Sequence, residues 1–76
     1  MIRFRLKEII ANYQFETGSK ITFDELAKET GVNRTTLLKI ANHKGYNTVT
    51  DNIGKLCDFF GCTVSDIMEH IPSKTE

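Results

Sequence analysis

The chain has little cysteine, a single proline (Pro72) and no net charge. Cys57 and Cys62 are too few for the disulfide framework of a small secreted domain, and both read as small packing residues kept as thiols in a reducing compartment. No apolar run approaches the roughly 20 residues that cross a bilayer. Met1-Ile2-Arg3-Phe4-Arg5 lacks the long apolar stretch of a secretory signal, so the expected location is the cytoplasm. Gly, Pro and Ser do not cluster as they do in linkers, and neither an internal repeat nor a low-complexity tract is visible. Ten basic residues against ten acidic ones withhold the positive balance common among nucleic-acid-binding domains.

What is present fits one small domain. At 76 residues the chain has room for one core and no catalytic domain beside it, so neither enzymatic activity nor a cofactor is expected. The expected domain is 1–76, with its core inside 4–71 and a frayed tail at 72–76. The fold class is all-α, a compact set of five helices. Leu6, Ile9, Ile10 and Tyr13 recur at helical spacing and predict a first helix from about Phe4 to Gln14. A polar connection follows over Glu16 to Lys20. Thr22 with Glu25 three residues on is a capping-box pattern, so a second helix starts near Phe23 and stops at Gly31. Asn33 is a favoured N-cap for a third helix from about Arg34 to Ala41.

Beyond a polar loop over 42–49, Thr50 is the expected cap of a fourth helix carrying Ile53, Leu56, Cys57 and Phe60 inward and closed by Gly61. A fifth, short helix would start at Thr63 or Ser65, carry Val64, Ile67, Met68 and Ile71 inward, and end before Pro72. The alternation Ile2-Arg3-Phe4-Arg5 is the one strand-like segment; it either pairs with something or leads into the first helix.

The informative stretch runs from Thr22 to Ala41. Ala27 must be small where the second and third helices cross, Gly31 supplies the turn, and Val32, Leu37 and Ile40 anchor the third helix so that its other face projects outward. No acid occurs between Glu29 and Asp51, whereas Arg34, Lys39 and Lys44 do, with His43 beside them; a neutral protein can thus present one positive face.

Leu26-Ala27, Gly31-Val32, Leu37 and Ile40 stand in the order and spacing of the Xre and phage Cro/repressor family, and the stretch resembles that family's helix-turn-helix. The likeness extends over about residues 4–71, through the Gly-Tyr-Asn loop and the helices on either side. It implies a five-helix domain that binds double-stranded DNA as a transcriptional regulator, in the family's usual sense a repressor. It also implies that the third helix enters the major groove. The matching positions are Asn33, Arg34, Thr35, Leu38 and Lys39: Arg34 suits guanine O6 and N7, Thr35 a base edge, Leu38 a thymine methyl, and Lys39 guanine or phosphate. Backbone contacts fall to Thr22, Thr36, Asn42, Lys44, Tyr46, Asn47 and Thr48, which carry hydroxyl, amide or ammonium groups. The chain departs from the common pattern in carrying Phe23 where many relatives have glutamine, and in a longer connection between the first two helices.

The same residues admit other readings. The polar face of the third helix can be a merely solvated face, and the fold can serve as a protein-interaction module, an antitoxin or an adaptor. Zinc needs four converging ligands, and His43, His70, Cys57 and Cys62 do not have that spacing, so no metal is expected. Phe59 lies off the inward stripe of the fourth helix and, with Met68 and Ile71, is a candidate two-fold homodimer contact through the last two helices.

Overall fold

A computed structural model describes residues 1–73. Of the tail expected at 72–76, residues 74–76 lie outside the described residues. Among the described residues the order is β1 (Ile2–Phe4), α1 (Leu6–Thr17), α2 (Phe23–Thr30), α3 (Arg34–Asn42), α4 (Thr50–Phe60), α5 (Val64–Ile67) and β2 (Met68–His70). The expected five-helix class holds, with a two-stranded sheet added. No helix among the described residues is long and apolar enough to cross a membrane.

Every helix sends at least one fully enclosed aliphatic side chain to a shared centre: Leu6 from α1, Leu26 from α2, Leu37 and Ile40 from α3, Ile53 and Leu56 from α4, Ile67 from α5. Val32, in the turn between α2 and α3, completes it. Each such burial is worth roughly 1.5–3 kcal/mol, so this cluster is the main force that orients the helices.

The ends of the elements show where the local signals were incomplete. Helix α1 begins two residues later than expected and continues to Thr17, because Phe4 is taken into β1. At its end the Thr17 hydroxyl donates to the Tyr13 carbonyl at 2.8 Å, and Gly18 N–H donates to the Gln14 carbonyl at 2.9 Å. The Gln14 side chain then accepts from Ile21 N–H at 2.9 Å, which stitches the connection to the helix it leaves. In α4, Thr50 is the first helical residue and not the cap; Val49 occupies the cap position without a side-chain bond.

The fifth helix is a single turn. Its residues Val64–Ile67 are followed at Met68 by extended backbone (φ −127°, ψ 148°), so Met68 and Ile71 stand on and just after β2 and not on a helix. Val64, expected inward, is 54% exposed. The reason is long-range: β1 and β2 pair antiparallel with Ile2 opposite His70, Arg3 opposite Glu69 and Phe4 opposite Met68. Arg5 N–H to the Ile67 carbonyl (2.6 Å) and Ile71 N–H to the Met1 carbonyl (2.8 Å) extend the ladder at both ends. Arg3 and Arg5 each approach the Glu69 carboxylate, at 3.7 and 3.0 Å. A two-stranded pair is marginal by itself; here Phe4 and Met68 pack against the core and hold it down.

Phe59, which lies off the inward stripe of α4, is nevertheless half-buried. It lies 5.4 Å from Tyr13 and 5.0 Å from Phe60, centroid to centroid, forming an aromatic cluster between α1 and α4.

Candidate nucleic-acid interface

The start of α2 is closed by reciprocal bonds. Glu25 N–H donates to the Thr22 hydroxyl at 3.1 Å, and Thr22 N–H donates to the Glu25 carboxylate at 2.8 Å. At the other end Gly31 takes φ 79°, and its N–H reaches the Ala27 carbonyl at 2.8 Å. Two residues later the Asn33 side chain accepts from Thr35 N–H at 2.8 Å and starts α3. Local signals thus fix the beginning and end of α2 and the beginning of α3, and the burial of Leu26, Val32, Leu37 and Ile40 fixes how the two pack.

With Leu37 and Ile40 fully enclosed, the opposite face of α3 is outward. Residues 34, 35, 38, 39 and 42 fall within an arc of about 140° at 3.6 residues per turn. Arg34, Thr35, Lys39 and Asn42 are exposed, as are Asn33 before them and Lys44 and Asn47 in the loop beyond. Leu38, inside that arc, and Thr36, at the edge of the inward one, are half-buried. The structure therefore brings Arg34, Thr35, Leu38 and Lys39 onto one face.

The flanking positions differ in how free they are. Lys39 Nζ stands 5.8 Å from the centre of the Tyr46 ring, and His43 meets the same ring edge-on at 5.9 Å, so α3 and the loop after it form one continuous surface. Thr48 is half-buried and its hydroxyl accepts from the Asn52 amide at 3.0 Å, while Thr22 is exposed with its hydroxyl accepting in the cap. Each hydroxyl still has its own proton to donate to a phosphate oxygen. Phe23, at the first position of α2, packs against the core.

Sequence reasoning missed one residue, Asp24. Its Oδ1 lies 2.7 Å from Arg34 Nε, both side chains being largely exposed (79% and 55%). The acid-free window between Glu29 and Asp51 is therefore a property of the chain and not of the space around Arg34. No local pattern marks a pair ten positions apart; the crossing of α2 and α3 creates it.

Cys57 and Cys62 are free and half-buried. Cys62 N–H donates to the Cys57 carbonyl at 3.1 Å across the end of α4. Burial, and next the adjacent Cys57, push the Cys62 thiol up to about 11. Among the described residues no group of three His, Cys, Asp or Glu side chains is placed to hold a metal ion.

Two helices joined by a tight glycine turn, the second anchored on one side and polar on the other, define a helix-turn-helix. Residues 18–73 match the family described as the Cro/C1-type HTH DNA-binding domain, and the chain belongs to that family. The match spans α2 to β2 and leaves β1 and α1 outside it. Neither a curated protein nor a solved structure matches the chain. The resemblance drawn from Leu26-Ala27, Gly31-Val32, Leu37 and Ile40 is thus borne out, and the chain is a DNA-binding domain of the type that regulates transcription.

Proposed function

We propose that residues 1–76 act as one DNA-binding domain that represses transcription by occluding a promoter, with α3 in the major groove. The observation that carries this reading is the division of α3 into an enclosed side, Leu37 and Ile40, and an exposed side, Arg34, Thr35 and Lys39. Asn33, Arg34, Thr35, Leu38 and Lys39 read base edges, Arg34 by paired bonds to guanine O6 and N7. Thr22, Thr36, Asn42, Lys44, Tyr46, Asn47 and Thr48 hold phosphates and fix the register. The zero net charge of the chain keeps general affinity low, so specific contacts carry a large share of the binding.

On a palindromic operator two copies would set their α3 helices about one DNA turn apart. The Phe59 ring meets Tyr13 and Phe60 and Met68 packs against the core, so a homodimer contact through Phe59, Met68 and Ile71 would use only the faces these leave open. Sedimentation of the complex on operator DNA measures this: a single copy per duplex removes the dimer.

The function itself is tested by mobility shift on duplexes selected by the protein from a random pool, against mixed duplexes, over a salt series. Binding should fall steeply as salt rises, with a logarithmic slope near the number of phosphates neutralised. Arg34→Ala should cost roughly 1–3 kcal/mol on the selected site alone, and Lys44→Ala should weaken all sequences alike. If both variants act identically on every duplex, the assignment of reading and holding residues is wrong.

A further inference from the structure

Arg34 Nε lies 2.7 Å from Asp24 Oδ1, an ion pair between the starts of α3 and α2. A guanidinium carries five N–H donors in a planar fork, and the carboxylate lies beside its Nε end, so the two terminal amino groups keep donors for a second partner. Asp24 stands in the first turn of α2, which the Thr22 and Glu25 bonds hold rigid, and Arg34 stands at the start of α3, which Asn33 caps. A long, flexible side chain is thereby tied between two fixed helix starts.

The geometry points to Asp24 as a positioning residue that aims the Arg34 fork at one base pair, and so as a determinant of sequence preference. This rests on α3 being the recognition helix. In the free protein so exposed a pair adds little stability. Inside a groove, with water displaced, the attraction between the two charges strengthens, and a side chain already oriented loses less freedom on binding. The pair also has no net charge. Arg34 therefore acts as a reader and not as a general phosphate anchor, and the carboxylate disfavours any swing of the fork toward the backbone of the duplex.

The test uses the full chain, the duplex it enriches from a random pool, and that duplex with each other base pair at the position where Arg34→Ala loses discrimination. Asp24→Ala should lower the ratio of affinities between the selected and altered duplexes about tenfold. It should at the same time raise affinity for mixed duplexes and steepen the salt slope by about one. Asp24→Asn, which keeps an acceptor in place, should restore part of the ratio; Asp24→Ala added to Arg34→Ala should lower it no further. If Asp24→Ala strengthens binding to all duplexes equally while Arg34→Ala still abolishes discrimination, Asp24 is only a repelling charge; this inference falls and the proposed function stands. If Arg34→Ala itself leaves every ratio unchanged, the reading of α3 falls and the role of Asp24 with it. Urea unfolding of each variant reports any loss of fold separately.

Discussion

Lys39 Nζ lies 5.8 Å from the centre of the Tyr46 ring, which couples the outward face of α3 to the loop that follows it. A cation over an aromatic face at an exposed site is worth about 0.5–1 kcal/mol, and here it holds the ammonium near the proposed DNA surface. Tyr46→Phe keeps the ring and loses the hydroxyl assigned to a phosphate, so it should weaken binding by the roughly 0.5–1.5 kcal/mol of one hydrogen bond. Tyr46→Ala should weaken binding by roughly 1 kcal/mol more than Tyr46→Phe. Titration calorimetry on the selected duplex checks this; equal effects of the two substitutions would show that the ring does not position Lys39.

Two glycines should respond to alanine in opposite directions. A Cβ at either Gly31 or Gly54 would have nothing within 4 Å, so packing is not at issue in either case. Gly31 has φ 79°, where a side chain costs about 1–2 kcal/mol, whereas Gly54 lies inside α4, where alanine is favoured over glycine by about 1 kcal/mol. Gly31→Ala should lower the urea midpoint and Gly54→Ala should raise it. A rise for both would mean that the turn between α2 and α3 relaxes out of its left-handed conformation.

What was legible in the sequence is what is decided within a few residues. Thr22 with Glu25, Gly31, and Asn33 with Thr35 each fix a helix end through bonds spanning two to four positions, and α2 and α3 accordingly start where expected. What was missed depends on distant partners. Ile67, Met68 and Ile71 have helical spacing, yet Met68 turns extended because Ile2–Phe4 supplies a strand from the far end of the chain. Phe59 has no inward-facing position on α4 alone, but Tyr13 on α1 covers it. In the candidate site the same division holds: the outward positions of α3 follow from periodicity, while the carboxylate beside Arg34 follows only from how two helices cross.

Stability toward acid should carry a contribution from the start of α5. Thr63 N–H and the Thr63 hydroxyl approach the Asp66 carboxylate at 3.0 and 3.1 Å and hold its pKa below the ordinary value of 3.8. A depressed folded value means that the stabilisation is present above the unfolded value and is lost as pH falls through the folded one. Asp66→Asn should therefore lower the urea midpoint at neutral pH, and the difference from the unaltered chain should close in strong acid. A difference that persists unchanged in acid would show that ionisation of Asp66 contributes nothing.

The thiol pair at the end of α4 should be slow to react. Burial, then the neighbouring Cys57, raise Cys62 to about 11, so little of it is thiolate near neutrality. The thiolate is the nucleophile, and alkylation of Cys62 should lag behind that of a free cysteine peptide and accelerate only well into alkali. Cys57→Ala removes the Cys57 contribution and leaves burial, so it should shift the rate profile partway back. Mass spectrometry of iodoacetamide-treated protein across a pH series measures both, and a profile matching the free peptide would contradict the enclosed setting of Cys62.

The central claim, that the exposed side of α3 reads the major groove, is most directly tested by methylation interference on the selected duplex. Guanine N7 faces the major groove and adenine N3 the minor one. Methyl groups at guanine N7 should block binding of the unaltered chain, and Arg34→Ala should become indifferent to the methyl at one particular guanine. Interference confined to adenine N3, or a guanine pattern that Arg34→Ala leaves unchanged, would contradict the claim.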